Sequence, residues 1–266
     1  MKLTIYQVDA FAEKVFQGNP AAVIPLEDWL DDDLMQKIAM ENNLSETAFF
    51  VKTDTGFHIR WFTPEYEIDL CGHATLASAY IIKNFVEPHL AEINFTTQKA
   101  GSLRAMAKDG IYTLDFPVRV PKATGTPAQL FKSLNISTAV EVLKSRDYFV
   151  VLPNEEAVLN IEPDFTLMKE LDTIGVIVTA KGHSADVVSR CFYPGAAIPE
   201  DPVTGSAHCN IVPYWTEKLG KTKLFCKQLS ARGGDLHCEL EGDRVLMSGK
   251  CVLYMEGSLN LDSGGL

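Results

Sequence analysis

What the chain lacks sets the first limits. No apolar run in it approaches the length of a membrane span. Cations are scarce beside acids, 24 Lys and Arg against 35 Asp and Glu, for a net charge of −11. That balance argues against a nucleic-acid backbone or an anionic membrane as the main partner. It is compatible with a small anion whose contacts come from backbone N–H groups rather than from Lys and Arg. The opening MKLTIYQVDAF has no long apolar core and no small-residue cleavage site, so no signal peptide is expected. The six cysteines are spread through the chain with no Cys-x-x-Cys pair, which points to reduced thiols, a cytoplasmic protein and no zinc ribbon. There is no GxGxxG, P-loop, HExxH or GxSxG either. His208-Cys209 and His237-Cys238 are adjacent pairs, which on a strand face opposite ways and share a metal poorly. Neither a metal nor an organic cofactor is expected.

What is present is an internal echo. The 266 residues, 46% apolar and 22% charged, leave room for two ordinary domains or one large one. ArgTrpPheThrPro at 60–64 returns as ArgCysPheTyrPro at 190–194, an offset of 130. AspLeuMet at 33–35 answers ThrLeuMet at 166–168, and Gly72 answers Gly205, both at 133. PheThrThrGln at 95–98 answers PheCysLysGln at 225–228. A collinear set at near-constant offset reads as a tandem duplication, and a period this long means paired domains rather than a solenoid. Proline, glycine and threonine concentrate at 116–127, so the join is placed there. The expected division is 1–117, a linker at 118–124, and 125–258.

In the first half, strands are expected near 3–8, 21–24, 47–52 and 57–62, with a helix over 28–42 from its three- and four-residue apolar spacing. A second helix, 72–85, is apolar nearly all round and therefore enclosed by other structure. Strands follow at 92–96, 103–108 and 111–116. Gly72 and Gly205 each open such a helix. The first N–H groups of a helix have no internal partner and carry a partial positive charge, so they can hold a carboxylate or a developing enolate without Lys or Arg. Read singly, either glycine serves only a tight turn or close packing.

The halves differ in one respect. Glu46 stands at the start of an apolar strand, and the matching stretch 172–178 has no acid at that place. A partly buried Glu can take and return a proton near neutral pH, which makes Glu46 a candidate general base; a surface Glu near a turn is the plainer reading. His73 is a candidate to share that proton, or a packed or capping histidine. Asp201 is a candidate substrate ligand or a turn-former before Pro202, and Ser206 a substrate donor or, the safer reading, a helix cap. Pro213 is expected to kink or end the second enclosed helix, and the GlyGly-containing tail 262–266 to fray.

SerGluThrAlaPhe at 45–49, AspLeuCysGlyHisAlaThr at 69–75, AspProValThrGlySerAla at 201–207 and GlyAsnProAlaAlaVal at 18–23 together resemble the PhzF-like (phenazine-biosynthesis) isomerases, nearly end to end. The resemblance implies a diaminopimelate-epimerase-like α/β (α+β) fold: two pseudo-symmetric domains, each a curved, barrel-like sheet around a central helix, with the active site between them. It also implies catalytic Glu46, His73 and Asp201, substrate contacts from Gly72, Gly205 and Ser206, a homodimer, and a cofactor-independent proton shift in a small anionic, amino-acid-like metabolite. Related epimerases use one thiol from each domain. Here Cys71 occupies roughly the first thiol place, and Asp201-Pro202-Val203 is expected at the second, against a two-cysteine mechanism. A racemase, epimerase or dehydratase with Cys71 as second base is one alternative, and an idle ligand-binding protein another.

Overall fold

The computed structural model describes residues 1–195 and 199–261; the tail at 262–266 lies outside the described residues. Two compact units share the chain: Met1–Asp115 with Ser248–Leu266, and Phe116–Met247. In chain order the elements are β1 (Lys2–Ala10), β2 (Asn19–Leu26), α1 (Asp32–Asn42), β3 (Glu46–Thr53), β4 (Gly56–Phe62), β5 (Glu67–Ile68), α2 (Gly72–Ile81), β6 (Glu92–Thr96), β7 (Ser102–Lys108) and β8 (Ile111–Pro117). Then come β9 (Lys122–Ala123), α3 (Ala128–Ser133), β10 (Glu141–Lys144), β11 (Tyr148–Val151), α4 (Glu155–Leu159), α5 (Phe165–Met168), β12 (Val176–Lys181) and β13 (Val187–Phe192). The last are β14 (Glu200–Asp201), α6 (Gly205–Leu219), β15 (Lys223–Gln228), β16 (Gly234–Glu241), β17 (Arg244–Gly249) and β18 (Cys251–Asn260).

The two units repeat one pairing scheme. In the first, β1–β2 is antiparallel, β2–β3 parallel, β3–β4 antiparallel, and β4 then carries antiparallel β5 and parallel β6, with β7 antiparallel beyond. In the second, β10–β11, β11–β12, β12–β13, β13–β14, β13–β15 and β15–β16 follow in the same senses. β18 pairs along the whole of β1, and β9 pairs with β10. Residues 251–260 therefore pack with the first unit, which is where the division departs from the expected end of the second domain at 258.

An ion pair is duplicated along with the strands. Arg60 on β4 grips Glu67 on β5 through Nε and Nη2, both at 2.7 Å, and lies 5.1 Å from the Phe62 ring centroid. Arg190 on β13 grips Glu200 on β14 at 2.8 and 3.0 Å and lies 5.1 Å from Phe192. A guanidinium fork fits a carboxylate edge to edge, so each pair fixes the angle at which the short strand leads into the enclosed helix. The arginine fork and aromatic neighbour account physically for the 60–64 and 190–194 echo.

Register corrects one of the anchors. Phe57 pairs with Phe95, while the equivalent Val187 pairs with Cys226, so Phe95 corresponds to Cys226 and not to Phe225. A one-residue slip exchanges the two faces of a strand: Phe95 and Cys226 are buried, and Phe225 is only partly so.

α1 begins at Asp32, four residues later than expected, and buries Leu34, Met35, Ile38 and Ala39 against the β2–β3 face. α2 packs on β1, β2, β3 and β7, and nine of its ten residues are buried. Its Ala and Ser residues let the strands approach on all sides. Past Ile81 it widens into a π-helical turn, Ile82–Val86, closed by Glu87 N–H to Ile82 O at 2.7 Å. In the second unit α3, α4 and α5 cover a core that includes Val150, Val176, Val178 and Phe192. Each such fully buried side chain contributes about 1.5–3 kcal/mol relative to exposure.

Pro213 does not end α6, which runs to Leu219. Proline cannot donate to the carbonyl four residues back, here that of Cys209. The backbone N–H of Arg119 donates to Cys209 O instead, at 2.9 Å, so the helix continues. No helix among the described residues is long and apolar enough to cross a membrane.

Candidate active site

The first unit gathers the acid/base candidates. Glu46 is the first residue of β3, and His73 is the second residue of α2, buried to 4% exposure. Their side chains meet: His73 Nε2 lies 3.2 Å from Glu46 Oε2. The other ring nitrogen, Nδ1, lies 3.1 Å from Asn19 Nδ2 and 3.5 Å from Cys71 Sγ. Asn19, the first residue of β2, is fully buried, and Ser45 Oγ donates to its Oδ1 at 3.4 Å. That donation turns the amide nitrogen toward the imidazole, so Nδ1 accepts and, in the neutral ring, the proton sits on Nε2, on the side of the carboxylate. Burial lowers the His73 pKa to about 3. The imidazole is therefore neutral, with Nε2 on the side of the Glu46 carboxylate.

Asn19 was not among the candidates read from the sequence, although its motif was. Gly18 before it has φ +67°, and a Cβ there would collide with Ala10 O. The Gly-Asn pair is thus what a tight entry into β2 requires when the next side chain must turn inward.

Cys71 is the N-cap of α2 and makes no side-chain capping bond among the described residues. The N-cap of α6 is Thr204, likewise without one. Counted from the helix starts, the residue equivalent to Cys71 is therefore Thr204, not the 201–203 stretch expected, and a hydroxyl stands where a second thiol would. Ser206 is corrected as well: it is the second residue of α6, not its cap. Asp201 accepts from Thr204 Oγ1 at 2.6 Å, and its carbonyl accepts from Gln228 Nε2 at 2.7 Å. Gly72 and Gly205 are both buried first residues of their helices.

Glu46, Cys71 and His73 place one ligand atom each within 4.8 Å of one another. The chemistry of this set suits a metal poorly, because the carboxylate sits at Nε2 and the thiol at Nδ1. The lone pairs of these two nitrogens diverge, so one ion cannot take the ring together with both neighbours. His208 and Cys209 lie on α6 rather than on a strand, with His208 Nδ1 2.8 Å from Thr204 O. His237 and Cys238 lie on β16, where adjacent side chains do face apart.

Strand registers define which residue of the second unit is equivalent to Glu46. Thr47 pairs with Phe62 and Val176 with Phe192, so Glu46 corresponds to Gly175. A Cβ at Gly175 would run into the Tyr193 ring, which fills that space. A carboxylate at this position is therefore confined to one copy of the repeat.

The sequence matches the family described as phenazine biosynthesis-like protein over residues 8–257. The chain belongs to that family. An uncharacterized isomerase of Pseudomonas aeruginosa is 49% identical over 98% of this chain and all of its own. The crystal structure of a phenazine biosynthesis protein of the PhzF family from Enterococcus faecalis has a TM-score of 0.94 at 48% identity, covering 98% of this chain and all of that one. A hydroxyproline epimerase from Agrobacterium vitis, at 11% identity, has a TM-score of 0.62 over 99% of this chain and 94% of its own, a likeness of fold alone. The chain is thus an isomerase of the PhzF family with the diaminopimelate-epimerase-like fold shared with epimerases.

Proposed function

We propose that this isomerase moves a proton between carbons of a small carboxylate-bearing, amino-acid-like metabolite, without a cofactor, and that Glu46 is the base. The observation that carries this reading is the 3.2 Å contact of Glu46 with His73 at the start of α2, with Asn19 donating to the other ring nitrogen of His73. Glu46 takes a C–H proton and returns it to a neighbouring carbon of the same molecule. One electron pair moves through the substrate as its double bond shifts, so no oxidant or reductant is required. His73 Nε2–H holds Oε2 and so aims the carboxylate during both transfers. Its neutrality matters, because an imidazolium in that place would leave the carboxylate a weaker base. The open amides at the helix start, next to Gly72, stabilise charge that develops on the substrate. Asp201, through Thr204, sets the first turn of α6, where Gly205 and Ser206 meet substrate.

The use of Cys71 as a second base is less favoured. Its place is beside His73 Nδ1 at 3.5 Å, and its counterpart Thr204 is no thiol. The test is incubation with a panel of small carboxylates in D₂O, followed by mass spectrometry. A gain of deuterium at carbon with the wild-type protein, lost in Glu46→Gln and retained in Cys71→Ala, is the expected result. Loss in Cys71→Ala with retention in Glu46→Gln would replace this mechanism with the thiol one.

A further inference from the structure

The link between β1 and β2, residues 11–18, leads into Asn19 and is held in an unfavourable backbone shape. Phe11, Phe16 and Gly18 all have positive φ, +57°, +73° and +67°. A residue with a Cβ is disfavoured there by roughly 5- to 30-fold, so the surroundings must hold the two phenylalanines in place. Packing holds Phe11. It is 1% exposed, a Cβ at Gly249 would run into its ring, and the next N–H, of Ala12, donates to Lys250 O at 3.1 Å. Packing does not account for Phe16, which is 66% exposed and whose ring meets the edge of the half-exposed Tyr254 at 5.7 Å.

A buried acid holds Phe16 instead. The backbone N–H of Phe16 donates to Asp9 Oδ2 at 2.9 Å, and Asp9 is 2% exposed. A bond from a backbone N–H to a carboxylate is of the strong, charge-assisted kind, and a carboxylate withdrawn from water is tolerated only while donors are turned toward it. Asp9 pairs with Pro20, and Ala10 with Asn19. Neighbouring side chains on a strand point to opposite faces, so Asp9 lies on the other face of the sheet from the Asn19 amide that meets His73. Its influence on the acid/base corner therefore runs through the link. The link has no slack at its far end, where a Cβ on Gly18 would collide with Ala10 O. A slip of one residue in β2 would carry Asn19 to the opposite face and take its amide away from His73.

We infer that Asp9 is a positioning residue of the acid/base corner: by holding Phe16 in the left-handed conformation, it fixes the register in which Asn19 enters β2 and meets His73. The catalytic consequence rests on the reading of Glu46 and His73 as the acid/base pair; the positioning itself does not.

Two measurements on the full chain read the positioning without a substrate: hydrogen exchange of the Phe16 amide and ¹⁵N NMR of the His73 imidazole. In Asp9→Ala the amide should exchange about 10- to 100-fold faster, and the His73 Nδ1 resonance should leave its wild-type position. Asp9→Asn, which keeps an oxygen toward that N–H, should lie between. Adding Phe16→Gly to Asp9→Ala should bring the resonance back, because glycine takes the left-handed region without help. A fold weakened merely by losing a buried acid gains nothing from that change. Should Asp9→Ala not fold, Asp9→Asn with and without Phe16→Gly gives the same comparison. Tyr254→Ala should leave the resonance in place. The inference is overturned by an unmoved resonance in the Asp9 variants, by an equal displacement in Tyr254→Ala, or by no recovery on adding Phe16→Gly. Deuterium wash-in should fall and recover with the resonance. If the resonance behaves as expected while wash-in survives in both Asp9→Ala and Glu46→Gln, the assignment of the base fails and the positioning stands.

Discussion

Replacing Asn19 by alanine separates the roles of the Glu46–His73 pair. In the native arrangement Asn19 Nδ2 donates to His73 Nδ1 at 3.1 Å, which leaves the ring proton on Nε2, 3.2 Å from the carboxylate. The variant leaves Nδ1 buried with only the Cys71 sulfur, at 3.5 Å, beside it. An acceptor stranded in this way costs folding about 1–3 kcal/mol. The larger effect is on the tautomer. Once the amide is gone, the Nδ1–H form can donate to sulfur, and it turns the Nε2 lone pair against Glu46. A hydrogen bond to a charged group contributes about 1.5–3 kcal/mol, so losing the one proposed between Nε2–H and the carboxylate during proton transfer lowers turnover roughly 10- to 100-fold. ¹⁵N NMR of the imidazole reads the tautomer directly, alongside the rate of deuterium uptake by the substrate. A wild-type spectrum with the proton on Nδ1, or a variant with an unchanged tautomer and a rate within twofold, would refute the reasoning.

Three further outcomes follow from single contacts. Burial lowers the pKa of His73 to about 3 and of His208 to about 4, from an ordinary 6.5; the unfolded chain therefore binds more protons between those values, and stability is lost as pH falls below about 6.5, by about tenfold in the folding constant per pH unit for each histidine down to its folded value. Urea melts from pH 7 to 4.5 should show that slope, and His208→Gln should reduce it if the variant folds; a flat profile would contradict it. Gly175→Ala, whose new methyl meets the Tyr193 ring, should cost about 1–3 kcal/mol in denaturant melts, and an unchanged midpoint would show that the ring is not fixed there. Pro213→Ala should gain well under the ~3 kcal/mol usual for removing proline from a helix interior, because Arg119 N–H already occupies Cys209 O; a gain of that full size in the same melts would count against this bond.

The duplication was legible because the Arg60 and Arg190 forks need the same residue types in both copies, with aromatic partners at fixed spacing. The slip at Phe95 was not, since two phenylalanines one residue apart look alike until the strand faces are known. Enclosure of α2 could be read from its all-round apolar pattern. Asn19 was hidden because a polar residue after glycine reads as a turn, and only the fold brings position 19 to position 73. The domain end at 258 failed because nothing in β18 itself announces that its partner is β1, about 250 residues earlier.

The central claim is that a single carboxylate, present in one copy of the repeat, carries the proton. Deuterium wash-in at carbon should be measured for wild type and Glu46→Gln at matched substrate saturation, with both proteins shown to bind the substrate. The account predicts a loss of at least about 100-fold in the variant with binding preserved. Wash-in at the wild-type rate in Glu46→Gln would contradict it.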